Sequence, residues 1–220
     1  MSNAHAHAAA MEESYETGLP ISNAKLAMWL FLATEIMFFM GLIGTYIVLR
    51  GAAGDDWPSP AQVHLSTNVG AFNTLVLIVS SVTVVLALSA TSRGDRQKQS
   101  LFLAITMALG CVFMVVKGIE YKGKYEHGIF QIKDGWPVLA PKPDHPLPGG
   151  GIYPSLYFTL TGFHGLHVIG GIVMLGMLLI QSLTGRLGPD RHERVELIGL
   201  YWHFVDLVWI FLFPMIYLIA

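Results

Sequence analysis

The sequence predicts an all-α fold, an integral membrane bundle of five transmembrane helices. Three observations carry that reading. Five apolar stretches, about 24–49, 64–90, 99–121, 155–183 and 195–219, each reach or exceed the roughly 20 residues needed to cross a bilayer at about 1.5 Å per residue. Charged residues make up 13% of the chain and hydrophobic residues 53%, whereas soluble domains carry about 25% charged residues. The few polar residues inside the stretches recur at helical spacing rather than at random.

Residues 1–23 are rich in Ala, His and Glu, without the basic region and apolar core of a cleavable signal, and read as a surface-lying or disordered tail. Residues 24–220 form one membrane domain. Ser22 and Asn23 are candidate caps for the first helix. Near its middle, about 17 Å from the start at 1.5 Å per residue, stands Glu35. A carboxyl group in hydrocarbon needs a partner or a wet cavity. One reading is a proton-active site. The other, which we favour, is a hydrogen-bonded tie to a neighbouring helix, with His167, His203 and Asp206 as the candidate partners and a histidine of the fourth or fifth helix expected.

The second helix has a seven-residue rhythm, Ser66-Thr67, Asn73-Thr74 and Ser80-Ser81, which suits a close helix–helix seam. The third follows a charged turn, Arg93 to Lys98. It carries the single cysteine, Cys111, read as a small buried hydrophobe, and near its end Lys117 and Glu120, which can pair or snorkel to the interface. The loop over 122–153 is rich in Pro and Gly and is expected to lack regular structure. Trp57, Trp136, Tyr153 and Tyr157 fit an aromatic belt at the membrane surface.

The fourth helix places Gly162, Gly165 and Gly176 on one face and His164, His167, Gly171 and Ser182 on the other, so neighbours are expected on both sides and the helix reads as the central pillar. The next turn carries Arg186, Arg191, His192 and Arg194, candidates for contact with a phospholipid head group. With the N-terminus cytoplasmic, inner positions hold seven Lys and Arg against five outside, and the inner ones sit in short turns. The fifth helix sets Glu196, Gly199, His203, Asp206 and Tyr217 along one stripe.

None of these residues forms a recognisable active site. His164 and His167 share a helix face and cannot be opposite axial ligands of one haem. His167 and His203 fall at different depths, about 25 and 12 Å from the inner end at 1.5 Å per residue. No metalloprotease, phosphate-loop, nucleophile-elbow or Cys–His pattern occurs. No catalytic residue, cofactor ligand or metal ligand is therefore assigned to this chain.

Several stretches resemble one family. They are Lys25 to Phe39 (KLAMWLFLATEIMFF), Asn73-Thr74 with Ser80-Ser81, Glu120-Tyr121, Thr161 to Ile169 (TGFHGLHVI) and Tyr201 to Trp209 (YWHFVDLVW). Together they resemble subunit III of haem–copper cytochrome c oxidase, in its five-helix bacterial form. The resemblance implies a non-catalytic subunit that packs on subunit I, binds phospholipid and supports proton uptake and stability while the complex reduces oxygen to water. Haem and copper would belong to partner subunits. It also implies a bacterial cytoplasmic membrane, with the two helices of the longer form carried elsewhere, such as on subunit I. Buried polar positions with a structural or proton-related role would be Glu35, Asn68, Asn73, Glu120, His164, His167, Glu196, His203 and Asp206. Asn68 stands where longer members often have a membrane carboxylate, so a proton role at that position is in doubt. The Pro-rich stretch from Gly135 to Gly151 is longer than usual, and the loop over 122–153 is a candidate contact for a further subunit or supercomplex partner. Two other readings stay open: the subunit III-like accessory protein of nitric oxide reductases, and a proton-coupled transporter built on Glu35 and Asp206.

Overall fold

In the computed structural model, residues 22–59, 62–133, 136–138, 141, 147–148 and 151–218 are described. Residues 1–21, with most of the tail and its histidines, lie outside them. The chain is an all-α bundle with five helices long and apolar enough to cross a membrane.

Helix α1 (Asn23–Ala53) starts where the Ser22 hydroxyl accepts the Lys25 N–H, at 3.2 Å, and ends at Gly54, whose φ of +52° closes the last turn. Helix α2 (Thr67–Ser92) begins three residues later than the hydropathy suggests. His64 takes up the left-handed region, φ +49°, and breaks the helix before Ser66. Helix α3 (Arg96–Glu126) is capped by Asp95, whose carboxylate accepts the Lys98 N–H at 3.2 Å, and this contact holds the Asp95 carboxyl below its usual range. The helix runs five residues past the predicted end.

Part of the long loop is ordered, contrary to its composition. After α3, Gly128 at φ +73° turns the chain into a short antiparallel hairpin of β1 (Gln131–Lys133) and β2 (Trp136–Val138), with Gln131 opposite Val138. Backbone pairing of neighbouring segments needs little from side chains, so a Pro–Gly count misses it. Helix α4 (Ile152–Leu183) then starts earlier than predicted, with Pro154 in its first turn, where a missing N–H costs nothing. Helix α5 (His192–Phe213) passes at Pro214 into a π-helical turn, Pro214–Leu218. Two of the carbonyls there are taken by side chains of other helices: the Tyr46 hydroxyl donates to Met215 O at 3.1 Å and Thr67 to Tyr217 O at 3.4 Å.

Helix α5 is the central element, not α4. It packs against α1, α2 and α4 and is the most buried of the five. The reason is size complementarity. Trp202 and Trp209 are fully buried, and Trp202 lies in a slot between α3 and α4 that only glycines leave open. A Cβ at Gly110 would meet the Trp202 ring at 2.7 Å, and one at Gly171 would meet it at 2.6 Å. The other glycine face of α4 is looser. Cβ atoms built at Gly165 and Gly176 would touch Met114 and Met107 of α3 at 3.8 and 3.7 Å, and one at Gly162 would touch nothing.

The seven-residue rhythm of α2 faces α5. The Trp209 indole N–H donates to Thr74 and the Trp202 indole N–H to Ser80, each at 3.0 Å. The two tryptophans are seven apart and the two hydroxyls six, and because the helices run antiparallel each indole meets one hydroxyl of the rhythm. Helix α1 is the least buried. Trp29, Leu30, Met37, Met40 and Val48 are exposed on its outward face, as a lipid- or protein-facing helix requires. Cys111, read as a core residue, is exposed on α3.

Candidate functional site: polar joints within the apolar bundle

The polar groups do not converge on one pocket. They form separate joints, each between different helices. The first links α1 to α4. Glu35 Oε2 lies 3.0 Å from His167 Nε2, with both side chains about one-fifth exposed. His167 Nδ1 lies 2.8 Å from the Phe163 carbonyl oxygen. A carbonyl can only accept, so Nδ1 carries a hydrogen, and a single proton is then shared between Nε2 and Glu35. The Tyr201 hydroxyl of α5 donates to His167 O at 3.0 Å, bringing a third helix to the joint.

The polar stripe of α5 is divided among three neighbours. Glu196 pairs with Lys25 of α1 at 2.7 Å, and the nearby Glu193 accepts from Ser22. His203 Nδ1 lies 2.6 Å from the Ser81 hydroxyl of α2. Asp206, 3% exposed, is one turn further on; Ser81 approaches it, but neither carboxyl oxygen has a partner in good geometry. Tyr217 reaches α3.

That last contact belongs to the densest joint, which sequence reasoning only half found. Lys117 does not snorkel. It is buried and pairs with Glu120 at 2.9 Å, and the two tyrosine hydroxyls, Tyr157 of α4 and Tyr217, stand 3.0 and 2.9 Å from its ammonium. Both hydroxyls donate to the Glu120 carboxylate, Tyr157 at 2.6 Å and Tyr217 at 2.7 Å. The rings of Tyr121, Tyr157, Trp209 and Tyr217 surround the ammonium at 5.1–5.6 Å from their centroids. Tyr153 and Tyr157, expected in an interfacial belt, are core residues instead. They lie on the inward face of α4, which begins before the apolar stretch does. Trp57 packs between Tyr46 and Tyr153 at centroid distances of 5.4 and 5.6 Å. The Trp136 side chain lies outside the described residues.

His164 is buried, stacked on Trp209 at 5.1 Å and edge-on to Phe113 at 5.6 Å, with neither ring nitrogen hydrogen-bonded. Asn73 donates to the Phe113 carbonyl at 3.5 Å. Asn68 is exposed and stands apart from these joints, on the wall of a groove between α2 and α3. Among the described residues no group of three or more His, Cys, Asp or Glu could hold a metal ion.

Arg186, Arg191, His192 and Arg194 are all exposed in the α4–α5 turn. Backbone contacts shape this cluster: Arg191 donates to Arg186 O at 3.0 Å, and His192 Nδ1 lies 2.8 Å from Pro189 O. Arg194 donates to Gln181 at 3.3 Å. Arg96 adds a further cation, donating to Ser182 O at 3.3 Å.

Residues 9–137 and 147–220 match the protein family described as cytochrome c oxidase subunit III. A probable cytochrome c oxidase subunit 3 of Mycobacterium leprae (strain TN) is 35% identical over 188 residues, 86% of this chain and 84% of the relative. Cytochrome c oxidase subunit 3 of Sus scrofa is 32% identical over 211 residues, 93% of this chain and 73% of that protein. The Danio rerio protein of the same name is 34% identical over 198 residues, covering 88% and 68%.

Proposed function

Because the chain belongs to the cytochrome c oxidase subunit III family, we propose that it is the non-catalytic membrane subunit of a respiratory haem–copper oxidase, packing on subunit I. The observation that carries this is the dispersal of its polar groups. Glu35 and Glu120 bond to α4 at two separate joints, Glu196 bonds to α1 and His203 to α2. A catalytic centre needs such groups convergent on one reacting atom; a scaffold needs them spread between helices. Haem and copper belong, on this reading, to partner subunits. The subunit supports proton uptake and the durability of the complex by holding its neighbour's shape, and Glu35, Asn73 and His167 serve as ties within the bundle rather than as carriers.

The membrane is the bacterial cytoplasmic one, with the N-terminus inside and the C-terminus outside. The cations of the α2–α3 and α4–α5 turns support that orientation, and they are suited to the phosphates of phospholipid. The loop over 122–153, with its hairpin, then faces outward and offers a contact for a further subunit.

The test is affinity purification through a tag on this chain, in mild detergent. The expected product has a haem–copper spectrum and oxidises cytochrome c with oxygen uptake. A co-purifying complex that instead reduces nitric oxide and contains no copper would assign the chain to a nitric oxide reductase. Purification without any haem protein, together with proton-coupled transport by the reconstituted chain, would overturn the reading altogether.

A further inference from the structure

Apart from the joints above, two connections of the bundle meet at the end of α3. The α1–α2 connection lies against that end, and three contacts hold it there. Val63 is fully buried. Its carbonyl accepts from the Lys124 ammonium at 2.7 Å. The His64 ring lies on the His127 ring, with centroids 3.9 Å apart and planes 33° from parallel. Lys124 also fixes the connection that follows α3, because its carbonyl accepts the Ile129 N–H at 3.0 Å. These contacts border the groove between α2 and α3, about 540 Å³, whose lining includes His64, Lys124 and His127.

The arrangement suits a neutral His64. Its backbone stands at φ +49°, the sole non-glycine residue with positive φ among the described residues, so the contacts around it must hold it in the left-handed region. His127 Nδ1 lies 2.7 Å from the Gly123 carbonyl oxygen; Nδ1 therefore carries a hydrogen, and Nε2 is where a further proton binds. Desolvation, then the charge of His127, then that of Lys124 lower the pKa of His64 below 6.5. The acids of α3 do not offset this. Glu120, on the groove wall, is taken up by Lys117 and two tyrosine hydroxyls. Glu126, beside His127 in sequence, reaches Lys122 at 3.8 Å. From α2, the neutral Ser66 and Asn68 line the same groove.

We propose that this contact is a pH-responsive clasp, which holds the α1–α2 connection to α3 while His64 is neutral and releases it when His64 is protonated. Two imidazolium rings 3.9 Å apart, beside a lysine ammonium, repel one another, and the left-handed backbone at His64 relaxes once the stack no longer holds it. The clasped state binds the His64 proton less readily than the released state, whose histidine titrates near 6.5. The clasp is therefore at full strength above pH 6.5 and weakens as pH falls below it. On the proposed orientation this end of the bundle faces outward, the side that a proton-pumping oxidase acidifies. Only that consequence rests on the proposed function; the clasp itself rests on the contacts.

The test is hydrogen–deuterium exchange of the purified complex at about pH 7.5 and about pH 5.5, read as protection relative to the intrinsic rate at the same pH. The Gln62 and Val63 amides, which donate to the Ser59 carbonyl at 3.0 and 3.3 Å, report on the clasp. Their protection should fall by about threefold or more at the lower pH, while that of α5 stays unchanged. His64→Asn keeps a residue that tolerates positive φ and removes the charge, so it should make their protection independent of pH. His127→Phe keeps a ring for the stack and removes the second charge, so the fall should be smaller than in the parent. Protection of Gln62 and Val63 that does not change with pH in the parent would overturn the clasp. So would an equal fall in α5, or a fall in His64→Asn as large as the parent's. Where His64→Asn does not assemble, an undiminished fall in His127→Phe overturns it. The ratio of this chain to haem in the same samples tests the family-based reading separately.

Discussion

The hydrogen-bond geometry at His167 decides more than any other single residue. With Nδ1 committed to the Phe163 carbonyl, the only proton between Nε2 and Glu35 is shared. Glu35→Gln keeps a donor for Nε2, so the complex should assemble normally and turn over at close to the parental rate. Glu35→Leu strands the imidazole, at a cost of about 1–3 kcal/mol. Quantifying this chain against haem in the purified complex should show normal content for the first variant and a loss for the second. If Glu35→Gln abolished proton pumping at normal content, Glu35 would be a carrier instead of a tie. The Lys117–Glu120 pair is more deeply enclosed. Removing one partner of a buried pair costs about 3–5 kcal/mol, so Lys117→Met should lower the temperature at which the chain dissociates from the complex. It should do so more than Lys25→Met, because the Lys25–Glu196 pair is about 30% exposed and screened.

Between helices, the stability of the bundle follows the fit of α5 into its neighbours. Gly171→Ala would push a methyl group into the Trp202 ring at 2.6 Å; overpacking of this kind costs about 1–3 kcal/mol. Gly162→Ala meets nothing and should leave the dissociation temperature of the complex unchanged. Much at this scale was legible in the sequence. The hydroxyl rhythm of α2 is a pattern in one helix, and its partners on α5 repeat with the same period. The central position of α5 was not legible. It depends on Trp202 filling the space left by glycines on two other helices, and no single-helix pattern shows that. Tyr153 and Tyr157 misled for a similar reason. An aromatic near a span end is interfacial or buried according to which way its helix face turns, and the neighbours decide that. Lys117 and Glu120 read as a local pair, whereas the two tyrosines that complete the joint are 40 and 100 residues from Lys117 in sequence.

For the whole molecule, one consequence follows from a bundle that is cross-braced by polar joints and yet exposes apolar surface on most of its perimeter. It is built to be surrounded by lipid and by other subunits. The span count was legible because hydropathy alone determines it, and the family because its motifs are long. The ordered hairpin was hidden because backbone pairing of neighbouring segments leaves little side-chain pattern, and the groove between α2 and α3 because it forms where segments distant in sequence meet at one end of the bundle. The central claim is that this chain braces an oxidase and holds none of its redox chemistry. The most direct test strips this chain selectively from the purified complex with detergent and compares the remainder with the intact enzyme. The account predicts that the remainder keeps its full haem spectrum, its copper and its initial rate of oxygen uptake, and loses activity faster during sustained turnover. Haem or copper leaving with this chain, or an initial rate that falls to zero on its removal, would contradict it.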